Sequence, residues 1–256
     1  MTATRFLTLA VFGLCGVLLF SGFVALGVWQ LERREWKLDL MQQVDDRVHA
    51  EAVLAPKVAD WPKVSKQTDE YRHVSVTGKF LPLKDALVVA ATELCSGYWV
   101  LTPFERRDGS IVIVNRGYIG QGVEPSPPPE QQVTVSGLLR MSEPKGSVLR
   151  DNDPAADRWY SRDVQAIAAT RKITAAPYFI DSAKQQPGSN GVASVVPQGA
   201  ALRGHPVGGL TVIQFHNSHM VYAVTWFGLA LMVIGAAGII LREKRKERHA
   251  PNEPPA

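Results

Sequence analysis

The chain contains little cysteine and none of the short motifs that mark the common enzyme classes. Only two of its 256 residues are cysteines, Cys15 and Cys95, and no Cys-x-x-Cys pair occurs. A disulfide framework and thioredoxin-like chemistry are therefore excluded. The sequence also lacks Gly-x-Ser-x-Gly, His-Glu-x-x-His, a Walker loop and Gly-x-Gly-x-x-Gly, so no catalytic signature indicates an enzyme. We interpret the isolated His49, His73 and His205 as structural or surface residues.

Charged residues are missing from two long segments. Residues 6–31 form a run of 26 without Asp, Glu, Lys or Arg, and residues 220–241 form a second run of 22. At about 1.5 Å per residue, either run as a helix covers the roughly 30 Å hydrocarbon core of a bilayer. A cleaved signal peptide is the alternative for the first run, but the run exceeds the ~7–15 residues of a signal core and no Ala-x-Ala site follows it. The sequence therefore predicts two transmembrane helices in a lipid bilayer.

The charges at the chain ends predict the orientation. A basic tail at 242–256 follows the second run directly, and such a cluster stays in the cytoplasm. Both termini are then cytoplasmic, and residues 32–219 form a domain on the other face. Three basic residues after the first run oppose this orientation, but long translocated domains largely escape the rule. An apolar run that begins at Phe6 leaves no room for an organelle transit peptide, which favours a bacterial inner membrane and a periplasmic domain. We attribute the net charge of +4 mainly to basic residues that set the membrane orientation, and we expect no nucleic-acid partner.

The segment between the two runs is typical of a β-rich domain. Apolar residues at helical spacing from Trp36 to Val48 extend the first helix beyond the membrane. Val74 and Val76 predict a strand that ends at Gly78, and the similar Val-Thr-Val-Ser-Gly at 133–137 predicts its partner strand. The remaining predicted elements are a hairpin across Asp108-Gly109, a helix over 157–170, a strand over 177–181, an irregular loop over 183–209 and a last strand over 210–215. The predicted fold class is an α+β membrane protein in which two transmembrane helices flank an antiparallel β-rich extracytoplasmic domain, either a sheet or a small barrel.

One face of the second helix carries groups suited to a flat iron complex. At 100° per residue, His216, His219, Ala223 and Trp226 fall within a sector of about 80°, and Tyr222 borders it. Neutral imidazole is a good axial ligand for iron, aromatic side chains pack against a porphyrin, and the small Ala223 leaves room beside them. The alternative is that the histidines and aromatic residues only anchor the helix at the membrane interface.

Glycines mark a further face on each helix. They are Gly13, Gly16 and Gly27 on the first, and Gly228, Gly235 and Gly238 on the second. Such faces let helices approach closely, so the two helices are predicted to pack together or against partner helices. The general abundance of glycine in membrane helices explains the pattern equally well.

Four longer motifs are spread from the first uncharged run to the second, so that they cover nearly the whole chain. They are GVWQLERREWK at 27–37, TPFERRDGSIVIVNRGYI at 102–119, NDPAADRWYSRDVQAIA at 152–168 with PYFID at 177–181, and NSHMVYAVTWF at 217–227. Together they resemble the surfeit locus protein family of cytochrome c oxidase assembly factors.

The resemblance implies a non-enzymatic factor that helps to build haem–copper oxidase. Bacterial members are thought to bind haem a and to aid its insertion into the catalytic subunit, with haem a synthase as a candidate second partner. The histidine of the fourth motif is the implicated iron ligand, and here it is His219. Tyr222, Trp226 and Trp29 are the candidate neighbours of the ring. Arg116 is a candidate partner for haem propionates or for a partner's carboxylate, or else a structural arginine of the hairpin.

Three interpretations of the function follow from these residues. The first is a transient haem a carrier with one axial ligand. The second is a protein-only membrane scaffold that stabilises an oxidase assembly intermediate, and the third is a membrane-tethered hydrolase with a dispersed site. His216 lies outside the fourth motif and is the weaker ligand candidate, whereas Met220 lies about 100° around the helix from His219 and is not interpreted as an axial ligand.

Overall fold

The computed structural model describes residues 3–92, 95–147, 150–183, 200–210 and 218–249. These residues divide into two compact units: one contains the chain up to Gln43 and from Gln214 onward, and the other runs from Val44 to Ile213. Most of the predicted loop at 183–209, nearly all of the predicted strand at 210–215, and His216 lie outside the described residues.

The first unit consists of two long helices, α1 (Ala3–His49) as far as Gln43 and α4 (His219–His249). Both contain a stretch long and apolar enough to span a membrane, within Ala10–His49 and His219–Lys246. Large apolar side chains are exposed along both helices, as expected of surfaces that face lipid. The predicted extension of the first helix beyond the apolar run is confirmed, because α1 continues without a break to His49.

The second unit is a closed β-barrel with two additional strands. Its strands are β1 (Val53–Leu54), β2 (His73–Phe80), β3 (Ala86–Thr92), β4 (Cys95–Arg106), β5 (Ile111–Gly120), β6 (Val133–Met141) and β7 (Ala175–Ser182). The barrel closes in the order β2–β6–β7–β5–β4–β2, in which only the β5–β7 pair is parallel. Strand β1 pairs in parallel with the start of β2, and β3 pairs with the first half of β4. The short helices are α2 (Lys66–Asp69) and α3 (Val164–Thr170), with 3₁₀ turns at Val58–Lys63 and Ala200–Arg203.

The position of β5 in the barrel explains why its sequence is continuously apolar rather than alternating between apolar and polar residues. Val112 and Val114 point into the barrel, where they pack in one buried cluster with Phe104. Ile113 points outward and packs with Trp159 and Ile167 in a second buried cluster. Both faces of the strand are therefore covered, so both faces need apolar side chains.

Two strand predictions are confirmed. The similar segments are neighbours in the barrel: β2 and β6 pair antiparallel, with Val74 opposite Gly137. Strands β4 and β5 form the predicted hairpin, and Gly109 in its turn has a φ of 78°, a conformation that glycine adopts at little cost.

The strand predicted over 177–181 is also confirmed, as part of β7, whereas two other local predictions were wrong. The strand does not end at Gly78 but continues to Phe80, because β2 exchanges its partner there from β6 to β4. A Cβ atom at Gly78 would lie 1.9 Å from the carbonyl oxygen of Glu105, so glycine permits the close approach that closes the barrel. The predicted helix over 157–170 begins only at Val164, where the Asp163 carboxylate accepts a hydrogen bond from the Ala166 N–H. Strand β3 was not predicted, because its short apolar run shows no strict alternation.

A buried ionic network joins β6 and β7 to the segment before α3. The Asp181 carboxylate, whose side chain is 5% exposed, accepts hydrogen bonds from Arg140 and Arg162, each at 3.3 Å. It also accepts one from the Asn115 amide at 2.7 Å. Arg162 in turn donates to Glu143 at 2.6 Å. Each buried charge is thereby paired, which is the condition under which burial of a charge is tolerated.

Candidate functional site

Two side-chain contacts join α1 to α4. Gln30 Oε1 lies 2.8 Å from His219 Nδ1, and the rings of Phe23 and Trp226 stack with their centroids 5.8 Å apart. The two contacts are about two helical turns apart on each helix, and rising numbers on α1 match falling numbers on α4. The helices are therefore antiparallel where they meet.

Gly27 lies between these two contacts and permits the close approach of the helices. A Cβ atom at this position would lie 2.7 Å from the ring of Phe227. The predicted close packing through glycine is thus found at Gly27. At the other five glycines of the predicted faces, a Cβ atom would meet nothing within 4 Å; these are Gly13, Gly16, Gly228, Gly235 and Gly238.

The contact between His219 Nδ1 and Gln30 Oε1 favours one tautomer of the imidazole ring. The amide oxygen of Gln30 can only accept a hydrogen bond, so Nδ1 is the donor and, in the neutral ring, the lone pair belongs to Nε2. Histidines that bind metals usually have this arrangement, with the non-ligating N–H donated to an oxygen that holds the ring in place. His219 is thus oriented as an Nε2 ligand would be.

The helix face predicted to receive a flat group is partly occupied by the helix contact. Ala223 is 1% exposed, so the open space expected beside it is not found. Trp226 is partly buried in its stack with Phe23. In contrast, Tyr222 is 54% exposed and Trp29 is 53% exposed. The predicted aromatic neighbours therefore divide into one that packs the helix pair and two that present their rings outward.

Arg116 belongs to the barrel and contacts other barrel residues. Its guanidinium lies 3.4 Å from the Asp85 carboxylate and donates to the Ser126 carbonyl oxygen at 2.7 Å. Burial raises the pKa of Asp85 and lowers the pKa of Arg116, against the attraction between the two charges. These contacts link β5 to the neighbouring segments at Asp85 and Ser126.

The isolated histidines have local partners. His73 lies 2.8 Å from the Ala50 carbonyl oxygen and 2.9 Å from the Ser136 hydroxyl, and His205 lies 3.2 Å from the Ser126 hydroxyl. His49 pairs with Asp45 one turn earlier on α1. Within the described ranges, no group of three or more His, Cys, Asp or Glu side chains could hold a metal ion.

Gln30 was not singled out from the sequence, although a signal for it existed. It is a lone amide near the outer end of the uncharged run at 6–31, and its residue is only 9% exposed. A polar side chain inside a membrane helix usually has a bonded partner and a function. The sequence does not reveal that the partner is His219, which is distant along the chain.

Comparison with known proteins identifies the family. The model of the SURF1 family matches residues 17–231. Surfeit locus protein 1 of Homo sapiens is 35% identical over 230 residues, which cover 80% of this chain and 69% of the human protein. The protein of the same name from Mus musculus is 36% identical over 228 residues, covering 80% of this chain and 67% of its own. A SURF1-like protein of Monosiga brevicollis is 31% identical over 248 residues, covering 90% and 87%. The match to the family model over most of the chain, together with these relatives, shows that this chain belongs to the SURF1 family.

Proposed function

We propose that this protein is an assembly factor for cytochrome c oxidase that binds haem a through His219 and aids its insertion into the catalytic subunit. The observation that carries the proposal is the hydrogen bond from His219 Nδ1 to Gln30, which directs the lone pair to Nε2. Membership of the family supports the oxidase part of the proposal, because the surfeit locus motifs are those of oxidase assembly factors.

Haem a is the cargo in this proposal, and the residues around His219 fit it in part. The imidazole supplies one axial bond to the iron, and Tyr222 and Trp29 offer exposed aromatic surface to the macrocycle. Trp226 contributes by packing against Phe23, which holds the His219 face of α4 against α1. Because the position at Ala223 is closed, the macrocycle in this proposal would lie against the exposed side of the helix pair.

A single histidine at the membrane boundary suits transfer rather than permanent binding. One protein ligand leaves the second axial position of the iron available to the receiving protein, so the cargo need not be released before it is accepted. Haem a carries a farnesyl tail, which favours a path that stays in contact with lipid. Haem a synthase is the proposed donor, and the catalytic subunit of the oxidase is the acceptor. The chain itself catalyses no reaction in this scheme.

The proposed location is a bacterial inner membrane, with both termini in the cytoplasm and the barrel in the periplasm. The basic residues at the end of α4 support this orientation. The role of Arg116 as a partner for a haem propionate stays a prediction. Its side chain is 10% exposed, and a propionate would compete with Asp85 for the guanidinium.

The decisive experiment compares the haem content of three full-length proteins purified from cells that make haem a. We expect the natural protein to carry haem a, and His219→Ala to carry at least about tenfold less, because the axial bond is lost. His49→Ala is the matched control, since it removes an exposed histidine from α1, and it should retain haem. Equal haem in His219→Ala and the natural protein would show that His219 is not the ligand.

A second candidate function is a protein-only scaffold for an oxidase intermediate. The packed face at Ala223 and Trp226 favours it, because these residues already serve the contact between the helices. Absence of haem from all three proteins would support the scaffold. A deletion strain with normal oxidase activity and normal haem content in its oxidase would contradict both functions.

A further inference from the structure

We infer that Gln30 is a positioning residue for His219: its neutral amide fixes the proton on Nδ1 and keeps Nε2 a ligand of moderate strength. This inference deepens the proposed function and rests on it for the identity of the cargo. The state of the His219 ring can, however, be tested without any haem.

The first support is the cost of placing an amide where Gln30 lies. The residue is 9% exposed and lies near the outer end of the apolar run of α1, which is long enough to cross the bilayer. A polar group buried away from water is unfavourable unless it is hydrogen-bonded. The 2.8 Å contact with His219 Nδ1 gives the amide oxygen such a partner. If this position served only the packing of the helices, an apolar residue would have a lower free-energy cost of burial there.

The second support is that the surrounding contacts fix the position of the amide. Gly27, one turn before Gln30, permits the close approach to Phe227, and the Phe23–Trp226 stack lies one further turn along α1. The acceptor is therefore held by the packing of two helices rather than by a flexible loop. A ligand whose ring is held in this way binds metal better than a freely rotating one.

The third support is the chemistry of the acceptor. A carboxylate that accepts from Nδ1–H draws the proton towards itself and makes the imidazole a stronger donor to ferric iron, whereas a neutral amide does so much less. The strength of the acceptor thus tunes how tightly iron is held. A carrier must release its cargo, and an amide suits that need better than a carboxylate.

The haem-free test measures the tautomer of His219 in the full-length protein. Nitrogen NMR of ¹⁵N-histidine-labelled protein, with His219→Ala to assign the signal, should show the proton on Nδ1 in the natural protein. In Gln30→Met, which keeps the length of the side chain but removes the acceptor, the Nδ1–H form should lose its preference. Gln42→Met makes the same change at an exposed position of α1 and should leave the tautomer unaltered. A proton on Nε2 in the natural protein would overturn the inference, whether or not haem binds.

The haem-loaded test compares the same variants with Gln30→Glu. We expect Gln30→Met to bind haem a about 10–100-fold more weakly, the usual effect of losing such an outer partner. Gln30→Glu should retain haem a and lower its ferric/ferrous midpoint potential, because a charged acceptor favours the ferric form. Gln42→Met should change neither quantity.

The outcomes separate the inference from the proposed function. Natural protein without haem, or His219→Ala with full haem, contradicts the proposed function, and the NMR result still decides the role of Gln30. Natural affinity and potential in both Gln30 variants would overturn the inference while His219 remained the ligand. Equal loss of haem from Gln30→Met and Gln30→Glu would also overturn it, because an acceptor at this position would then not be sufficient.

Discussion

The barrel and the helix pair use the same apolar residue types in opposite ways. In the barrel, side chains such as Val112, Ile113 and Phe179 are 0% exposed, and water is excluded from both faces of the central strands. In the helix pair, side chains such as Leu18 and Val224 are more than 60% exposed. The barrel is stabilised by burial from water, whereas the helices meet an environment as apolar as themselves.

The difference shows where specificity must come from in each unit. The barrel can rely on many buried contacts and on one buried ionic network around Asp181. The helix pair has no comparable driving force between its helices, so a few defined contacts must fix their register. Those contacts are the ring stack, the close approach at Gly27 and the Gln30–His219 hydrogen bond. The candidate functional residue is therefore also one of the residues that align the helices.

The largest effect is expected from Asp181→Ala in the barrel. The change leaves Arg140 and Arg162 without the buried carboxylate they share, and removal of one partner from such a network costs about 3–5 kcal/mol. Thermal unfolding of the barrel measures this loss. It is followed by the β-sheet signal in circular dichroism of the full-length protein in detergent.

The matched control for this change is Asp153→Ala. Asp153 pairs with Arg158 at the surface, with side chains 42% and 66% exposed, so its loss should destabilise the barrel far less than the loss of Asp181. Equal destabilisation by the two variants would show that the buried network contributes no more than a surface ion pair.

A smaller effect is expected from glycine substitutions that compare the two units directly. Gly78→Ala places a Cβ against the Glu105 carbonyl oxygen and should destabilise the barrel by about 1–3 kcal/mol, as overpacking does. Gly13→Ala in α1 meets nothing within 4 Å, and alanine is the better helix former, so it should leave barrel unfolding unchanged. The same unfolding measurement applies to both. A Gly78→Ala protein as stable as the natural one would mean that β2 and β4 do not approach as described.

The smallest effect is expected from Glu143→Gln, and it should depend on pH. Burial alone would raise the pKa of Glu143, but hydrogen bonds and charge from Arg162, with Arg140 nearby, hold the pKa below its usual 4.5. The ionised form is therefore favoured in the folded state. Its contribution to stability is present above pH 4.5 and is lost as the pH falls through the lowered pKa.

Unfolding of the natural and Glu143→Gln proteins across this pH range measures the contribution. The variant should be less stable at neutral pH by less than about 1 kcal/mol, because the side chain is 39% exposed. The two stabilities should converge in acid. A constant difference at every pH would indicate that the carboxylate acts through its shape rather than through its charge.

Local patterns in the sequence predicted much of the fold. The uncharged runs marked both membrane helices, the Asp108-Gly109 pair marked the hairpin, and the two similar segments proved to be β2 and β6. The errors arose where distant contacts decide the structure. Gly78 looked like the end of a strand, but it is the point where β2 meets β4, and that partner is not adjacent in sequence. Trp159 looked helical, but it packs as a core residue before α3 begins.

The sequence by itself determined the two membrane spans, the β-rich domain between them and the identity of His219 as the ligand candidate. Those features depend on runs, alternation and motifs that neighbouring residues carry together. Only the tertiary structure decided that the barrel closes through β2 and β4, that the position at Ala223 is filled, and that Gln30 bonds His219. Each of these depends on two segments far apart in the chain, and the packing that brings such segments within a few ångströms leaves no local periodicity in either one.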